Sequence, residues 1–259
     1  MPTLAHQHIK SILLGVCPLI CFTRNFGVSA YTCMVGRVLE ICCTSVEDAC
    51  AAQSGGADRI ELCERLDVGG VTPRKDLVAE VLAQMAVPVF GLIRARAGDF
   101  SYGDKEIESM LISIDQLKQL GVGGIVCGAL DGGRRVDRDA TAAMVAAARP
   151  LPVTFHRAFD QCADRIGQLG VLRELGCDRV LTSDGQQLAS DGPERMRKLA
   201  EAAAGSPMIL CCGGVRSSNV GSLAGIQALR EFHSAARIEA GGVDAREVRA
   251  LKMMLAEQP

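Results

Sequence analysis

From residue 38 onward, short apolar runs alternate with stretches whose apolar positions recur every three or four residues. The runs predict strands over 38–42, 59–63, 89–94, 124–127, 153–156, 179–182, 208–211 and 229–233. Helical periodicity fills the gaps between them, for example over 46–54, 104–120, 138–148, 165–175 and 194–203, and a helix over 218–224 is expected after the seventh run. Strand alternating with helix points to βαβ units and a parallel sheet. Eight strands in an unbroken run, over a length that suits one domain, predict a closed (β/α)8 barrel of the TIM type across residues 35–259. The punctuation agrees. Gly55-Gly-Ala-Asp58, Gly121-Val-Gly123 and Gly176-Cys-Asp178 each sit where a helix should stop and a strand begin.

The alternation within the first two strands carries the strongest chemical signal. They read Val38-Leu-Glu-Ile-Cys42 and Arg59-Ile-Glu-Leu-Cys63. Successive side chains on a strand face opposite ways, so Glu40 and Cys42 share one face, and Glu61 and Cys63 share one face of the next. Leu39, Ile41, Ile60 and Leu62 take the other. A carboxylate and a thiol repeated on one face is not the pattern of an ordinary buried strand, whose residues are apolar on both faces.

Enzymes on this fold place their chemistry at the C-terminal ends of the strands. Those ends add Arg94 and Arg96, His156 and Arg157, Gly213 and Gly214, and His233 with Arg237 just beyond. Buried charges are costly unless paired, so this density of Glu, Arg and His is either a structural ion network filling the barrel mouth or a site. If the site is an enzyme's, Glu40, Glu61, His156 and His233 are the acid–base candidates. Arg94, Arg96, Arg157 and Arg237 would then clamp a small phosphorylated or carboxylated metabolite, with Gly213 and Gly214 offering backbone N–H groups. Cys42 and Cys63 stand on adjacent strands within bridging distance of one soft ion, and thiolates select Cu(I) over harder cations.

Composition narrows the classes. A formal net charge of -2 gives no electrostatic case for nucleic acid or an acidic membrane surface. No apolar run reaches the roughly 18 residues that span a bilayer. The 12 cysteines include no Cys-x-x-Cys pair, which excludes zinc ribbons and fingers. A chain this long needs no disulfide staples, so the thiols read as reduced and intracellular. Residues 1–39 hold no acidic residue, and an apolar stretch covers 12–22. Three readings stand for residues 1–34: a secretory signal, an acid-poor organellar presequence, or an extension upstream of a start at Met34. None of them belongs to the fold.

At these residues the chain resembles the CutC copper homeostasis proteins. The resemblance rests on Leu39-Glu-Ile-Cys42, Gly55-Gly-Ala-Asp-Arg-Ile-Glu-Leu-Cys63, Gly69-Gly-Val-Thr-Pro73, Pro88-Val-Phe-Gly-Leu-Ile-Arg94, Gly98-Asp-Phe-Ser-Tyr102 and Pro152-Val-Thr-Phe-His-Arg-Ala-Phe-Asp160. It implies a (β/α)8 barrel, a homo-oligomer, a cytoplasmic location, a link to copper tolerance, and Cu(I) bound by Cys42 and Cys63. Three departures surround the mouth: Cys212 opens a turn that usually starts with glycine, His233-Ser-Ala-Ala-Arg237 shifts a hydroxyl by one position, and Ala95 replaces a common proline. Asp244 is expected to cap a final helix running through Met254.

Overall fold

A computed structural model describes residues 36–238 and 241–257. The expectations for residues 1–34 lie outside the described residues. Eight parallel strands pair in chain order and close on themselves. They are β1 (Val38–Cys43), β2 (Arg59–Leu62), β3 (Val89–Leu92), β4 (Gly124–Cys127), β5 (Val153–Phe155), β6 (Arg179–Thr182), β7 (Met208–Cys211) and β8 (Glu231–Ser234). Around them run α1 (Val46–Gly55), α2 (Lys75–Leu82), α3 (Asp104–Leu120), α4 (Arg138–Ala148), α5 (Arg165–Glu174), α6 (Pro193–Ala203), α7 (Gly221–Ala224) and α8 (Ala245–Ala256). The fold is the TIM-type barrel that the alternation predicted.

Local chemistry sets the helix ends. Ser45, Asp137, Asp164 and Asp244 each accept a first-turn backbone N–H through the side chain, so α1, α4, α5 and α8 start at a cap. Gly56 and Gly121 end α1 and α3 in the left-handed region, at φ 96 and 95°, where a Cβ would be strained. Most strand ends fall within a residue or two of the sequence expectation, β3 for instance stopping at Leu92 instead of 94, and two further differences follow β7. Leu229 does not begin β8; its N–H bonds to Ile226 O in a turn, and pairing starts at Glu231. The helix expected over 218–224 shrinks to the four residues of α7, because Asn219 and Val220 both donate to Arg216 O in a preceding turn.

The strands bury both faces. Leu39, Ile41, Ile60, Leu62, Ile125 and Phe232 face outward into the main core beneath the helices. The opposite face lines the barrel interior, and there the packing is partly ionic. Arg59 pairs with Glu40 and, at 2.6 Å, with Glu231, which also takes Arg179 at 2.8 Å. Phe90 packs against both arginines, its ring centroid 4.9 Å from the Arg59 guanidinium carbon and 5.6 Å from that of Arg179. This network closes the lower half of the barrel, where branched apolar residues are usual. Above it, Cys42, Cys63, Leu92 and Val126 pack together on one side and Leu181, Leu210 and Cys212 on the other.

Candidate functional site

Register turns the linear pattern into a site. Glu40 lies level with Arg59 on β2 and with His233 on β8. It therefore accepts from both, with His233 Nδ1 2.7 Å from Glu40 Oε1. One step nearer the mouth, Cys42 lies level with Glu61. Cys63, one turn of the alternation above Glu61, brings its Sγ to 3.6 Å from Cys42 Sγ. Cys42, Glu61 and His233 each offer a donor atom within 4.8 Å of the others. The β1, β2 and β8 wall thus carries two thiols, a carboxylate and an imidazole together.

Protonation follows from burial and neighbours. Burial pushes the Glu40 carboxyl up, but the Arg59 guanidinium and His233 outweigh it and hold the group at about 2. Glu61 moves the other way: desolvation raises it, and the Glu40 charge adds to the rise. Burial lowers His233, yet Glu61 and Glu40 more than compensate and raise it. The hydrogen bond to Cys63 and burial hold the Cys42 thiol well above its usual value, so Cys42 rests as a neutral thiol. His156 is the opposite of His233. Burial and the nearby Arg94 charge push it down to about 3, which keeps it neutral.

These groups open on a cavity of about 440 Å³ at the C-terminal end of the barrel. Of the residues singled out from sequence, Cys42, Glu61, Cys63, Arg94, His156, Arg157, Gly213, Gly214 and His233 all line it. Glu40 does not; it is fully buried one level below and anchors His233. Arg96 turns away to pair with Glu106 at 2.6 Å and Asp99 at 3.0 Å, so it is no part of the clamp expected of it. Arg237 is likewise diverted, since Asp48 and Thr44 bind its guanidinium and the Gly241 carbonyl accepts from Nη1. Both arginines sit near strand ends in sequence, but nearby carboxylates take them into loop scaffolding.

Of the cavity residues without a role assigned from sequence, two stand out. Cys212 follows Leu210 on the inward face of β7 and lines the wall, a position that simple alternation would have given. Phe100 comes from the loop after β3 and covers both Arg94, 4.8 Å from the ring centroid, and His156, 4.9 Å between centroids. No spacing rule places a loop aromatic. Asp160, at the end of the segment following β5, organises the facing loop: it accepts from Thr182 Oγ1, Ser183 N, Ser183 Oγ and Gly185 N.

A TIM-type barrel with a polar cavity at its C-terminal mouth and a buried dithiol on one wall defines a ligand-binding or catalytic barrel of small-molecule scale. A family model described as the CutC family matches residues 37–238, and the chain belongs to that family. The human copper homeostasis protein cutC homolog is 42% identical over 202 residues, covering 78% of this chain and 74% of the human one. A family protein CutC from Edwardsiella ictaluri is 42% identical over 198 residues, covering 76% of this chain and 78% of its own. Among solved structures, the putative copper homeostasis protein CutC from Streptococcus agalactiae superposes with a TM-score of 0.73 at 27% identity, covering 77% of this chain and 98% of that one. Phosphoribosylanthranilate isomerase from Thermotoga maritima shares the barrel at 11% identity with a TM-score of 0.56, over 85% of this chain and 98% of its own. That likeness concerns the fold alone.

Proposed function

We propose that this protein acts in copper homeostasis by binding Cu(I) as cargo between Cys42 and Cys63. The observation that carries the reading is the pair of buried sulfurs 3.6 Å apart on adjacent strands, both on the cavity wall. The donor chemistry fits: thiolates are soft ligands, and neighbouring hard donors are too few to favour a hard cation. Binding as a thiolate requires Cys42 to lose the proton that it retains at rest. Two thiolates around one Cu(I) leave a single net negative charge. His233 stands on the same wall, held by Glu40 through Nδ1 and 3.8 Å from Glu61 through Nε2, and its imidazolium form offsets that charge. A carboxylate that orients a histidine beside a metal is a common supporting arrangement. Thiols in this role need a reducing compartment, for which the cytoplasm is the natural one.

The test is an anaerobic Cu(I) titration against a competing chelator, with Cys42→Ser/Cys63→Ser in parallel. One Cu(I) per chain, lost in the double variant, supports the reading. Uptake that is unchanged in the double variant refutes it.

A further inference from the structure

The copper reading uses one wall of the cavity and leaves the other unexplained. Arg94 is buried, 5% exposed, yet its guanidinium makes no ion pair among the described residues. Its Nη atoms donate to the carbonyls of Val68, Gly70 and Gly98, and the Tyr102 hydroxyl is the polar side chain beside the guanidinium, whose buried Nε meets no acceptor in good geometry. A buried cation compensated by carbonyl dipoles and the Phe100 ring, with no carboxylate among the described residues, keeps an unspent charge. Beside it, His156 is 3% exposed. Its Nδ1 accepts the Ala158 N–H at 3.3 Å, so the neutral ring carries its proton on Nε2. That Nε2 is buried and also has no partner. An unpartnered buried donor costs free energy, and two on one cavity wall mark an acceptor that belongs there.

The next sector of the same wall repeats the pattern. Arg157 gives Nε to Asp160 and one Nη to Ser183 Oγ, with no bond from its other Nη among the described residues. Next to Ser183 the chain turns through Gly213 and Gly214 at φ 94 and 62°, and neither N–H donates to another described residue. Backbone N–H groups after the seventh strand are a frequent oxyanion seat on this fold. The groups named so far on this side all present donors, and the Gln161 amide beside them offers a donor and an acceptor. Asp160 lines the cavity as well, but its oxygens are taken by Thr182, Ser183, Gly185 and Arg157.

We propose that the cavity is a second, independent binding site for a small organic oxyanion, a phosphate ester or carboxylate, held by Arg94, His156 Nε2, Arg157 and the Gly213–Gly214 N–H groups. The volume of about 440 Å³ suits a metabolite of a dozen or so heavy atoms, and Leu66, Leu92 and Leu181 supply apolar surface for its carbon skeleton. The site stands whether or not the thiols bind copper, because none of its groups is a copper ligand.

The experiment is calorimetric titration of the copper-free full chain with inorganic phosphate and, separately, with succinate, at constant ionic strength. It is repeated for Arg157→Gln, His156→Phe and Cys42→Ser/Cys63→Ser. Arg157 is half-exposed on its side chain, so its replacement preserves the fold even if that of a buried neighbour does not. The expected result is one equivalent of at least one probe bound with a millimolar or tighter Kd, weakened about tenfold or more in both donor variants. Affinity should be unchanged in the double cysteine variant. Preference for phosphate assigns a phosphorylated ligand, and preference for succinate a carboxylate. No saturable binding of either probe, or full affinity in Arg157→Gln and His156→Phe, overturns the proposal. Because the cysteine variant is read in the same series, failure of this site and failure of the copper site are separable.

Discussion

Glu40→Gln isolates the ionic floor of the barrel with almost no change of shape. Glu40 is fully buried, pairs with Arg59 and orients His233, so solvent screening does not dilute its contribution. Its carboxyl falls from an ordinary 4.5 to about 2 in the folded chain. At about 1.36 kcal/mol per pKa unit this corresponds to roughly 3 kcal/mol of stability at neutral pH. Removing one member of a buried pair independently predicts about 3–5 kcal/mol. The sign is that of a depressed carboxylate: the stabilisation is complete above the unfolded value near 4.5 and is lost as pH falls towards about 2. Urea unfolding of wild type and Glu40→Gln at pH 7 should differ by roughly 3 kcal/mol, and at pH 3.5 by about 2 kcal/mol. A difference below about 1 kcal/mol at pH 7, or one that does not shrink on acidification, would refute the claim that this pair supports the fold.

Gly124→Ala should destabilise the chain by about 1–3 kcal/mol, since the added Cβ would lie 2.4 Å from a Phe90 ring carbon and that ring is packed against two arginines; thermal unfolding reads the loss. Cu(I) uptake should release protons, that of Cys42 among them, and tighten as pH rises, because the proton competes with the metal for a thiol whose resting form is neutral; titration in buffers of differing ionisation enthalpy counts them. Arg237→Ala should lower stability by about 1–3 kcal/mol by stripping a charged partner from buried Asp48, while phosphate affinity stays at the wild-type value.

Much of this protein is written in short-range pattern. Caps at Ser45, Asp137, Asp164 and Asp244, left-handed glycines at 56 and 121, and two-residue alternation in each strand act over a few residues, and each element formed where they put it. The same alternation put Glu40 with Cys42 and Glu61 with Cys63 on inner faces. It misjudged β8 and the helix before it, where a turn of hydrogen bonds to Arg216 and Ile226 outcompeted the apolar run.

Height along the barrel axis was not local information. Only the closure of β8 onto β1 and the register of β1 against β2 set Glu40 level with Arg59 and His233, below the cavity, and Cys42 level with Glu61, on its wall. The fate of each arginine was equally non-local. Arg96 and Arg237 found carboxylates in Glu106 and Asp48, whereas Arg94 found carbonyls and the Phe100 ring but no carboxylate among the described residues, and lines the cavity. Sequence by itself determined the barrel, the inward faces and the thiol pair, because backbone preferences and side-chain alternation are properties of neighbouring residues. The tertiary structure decided which of the charged groups are structural and which line the cavity, because a charge settles with whichever partner closure brings within reach.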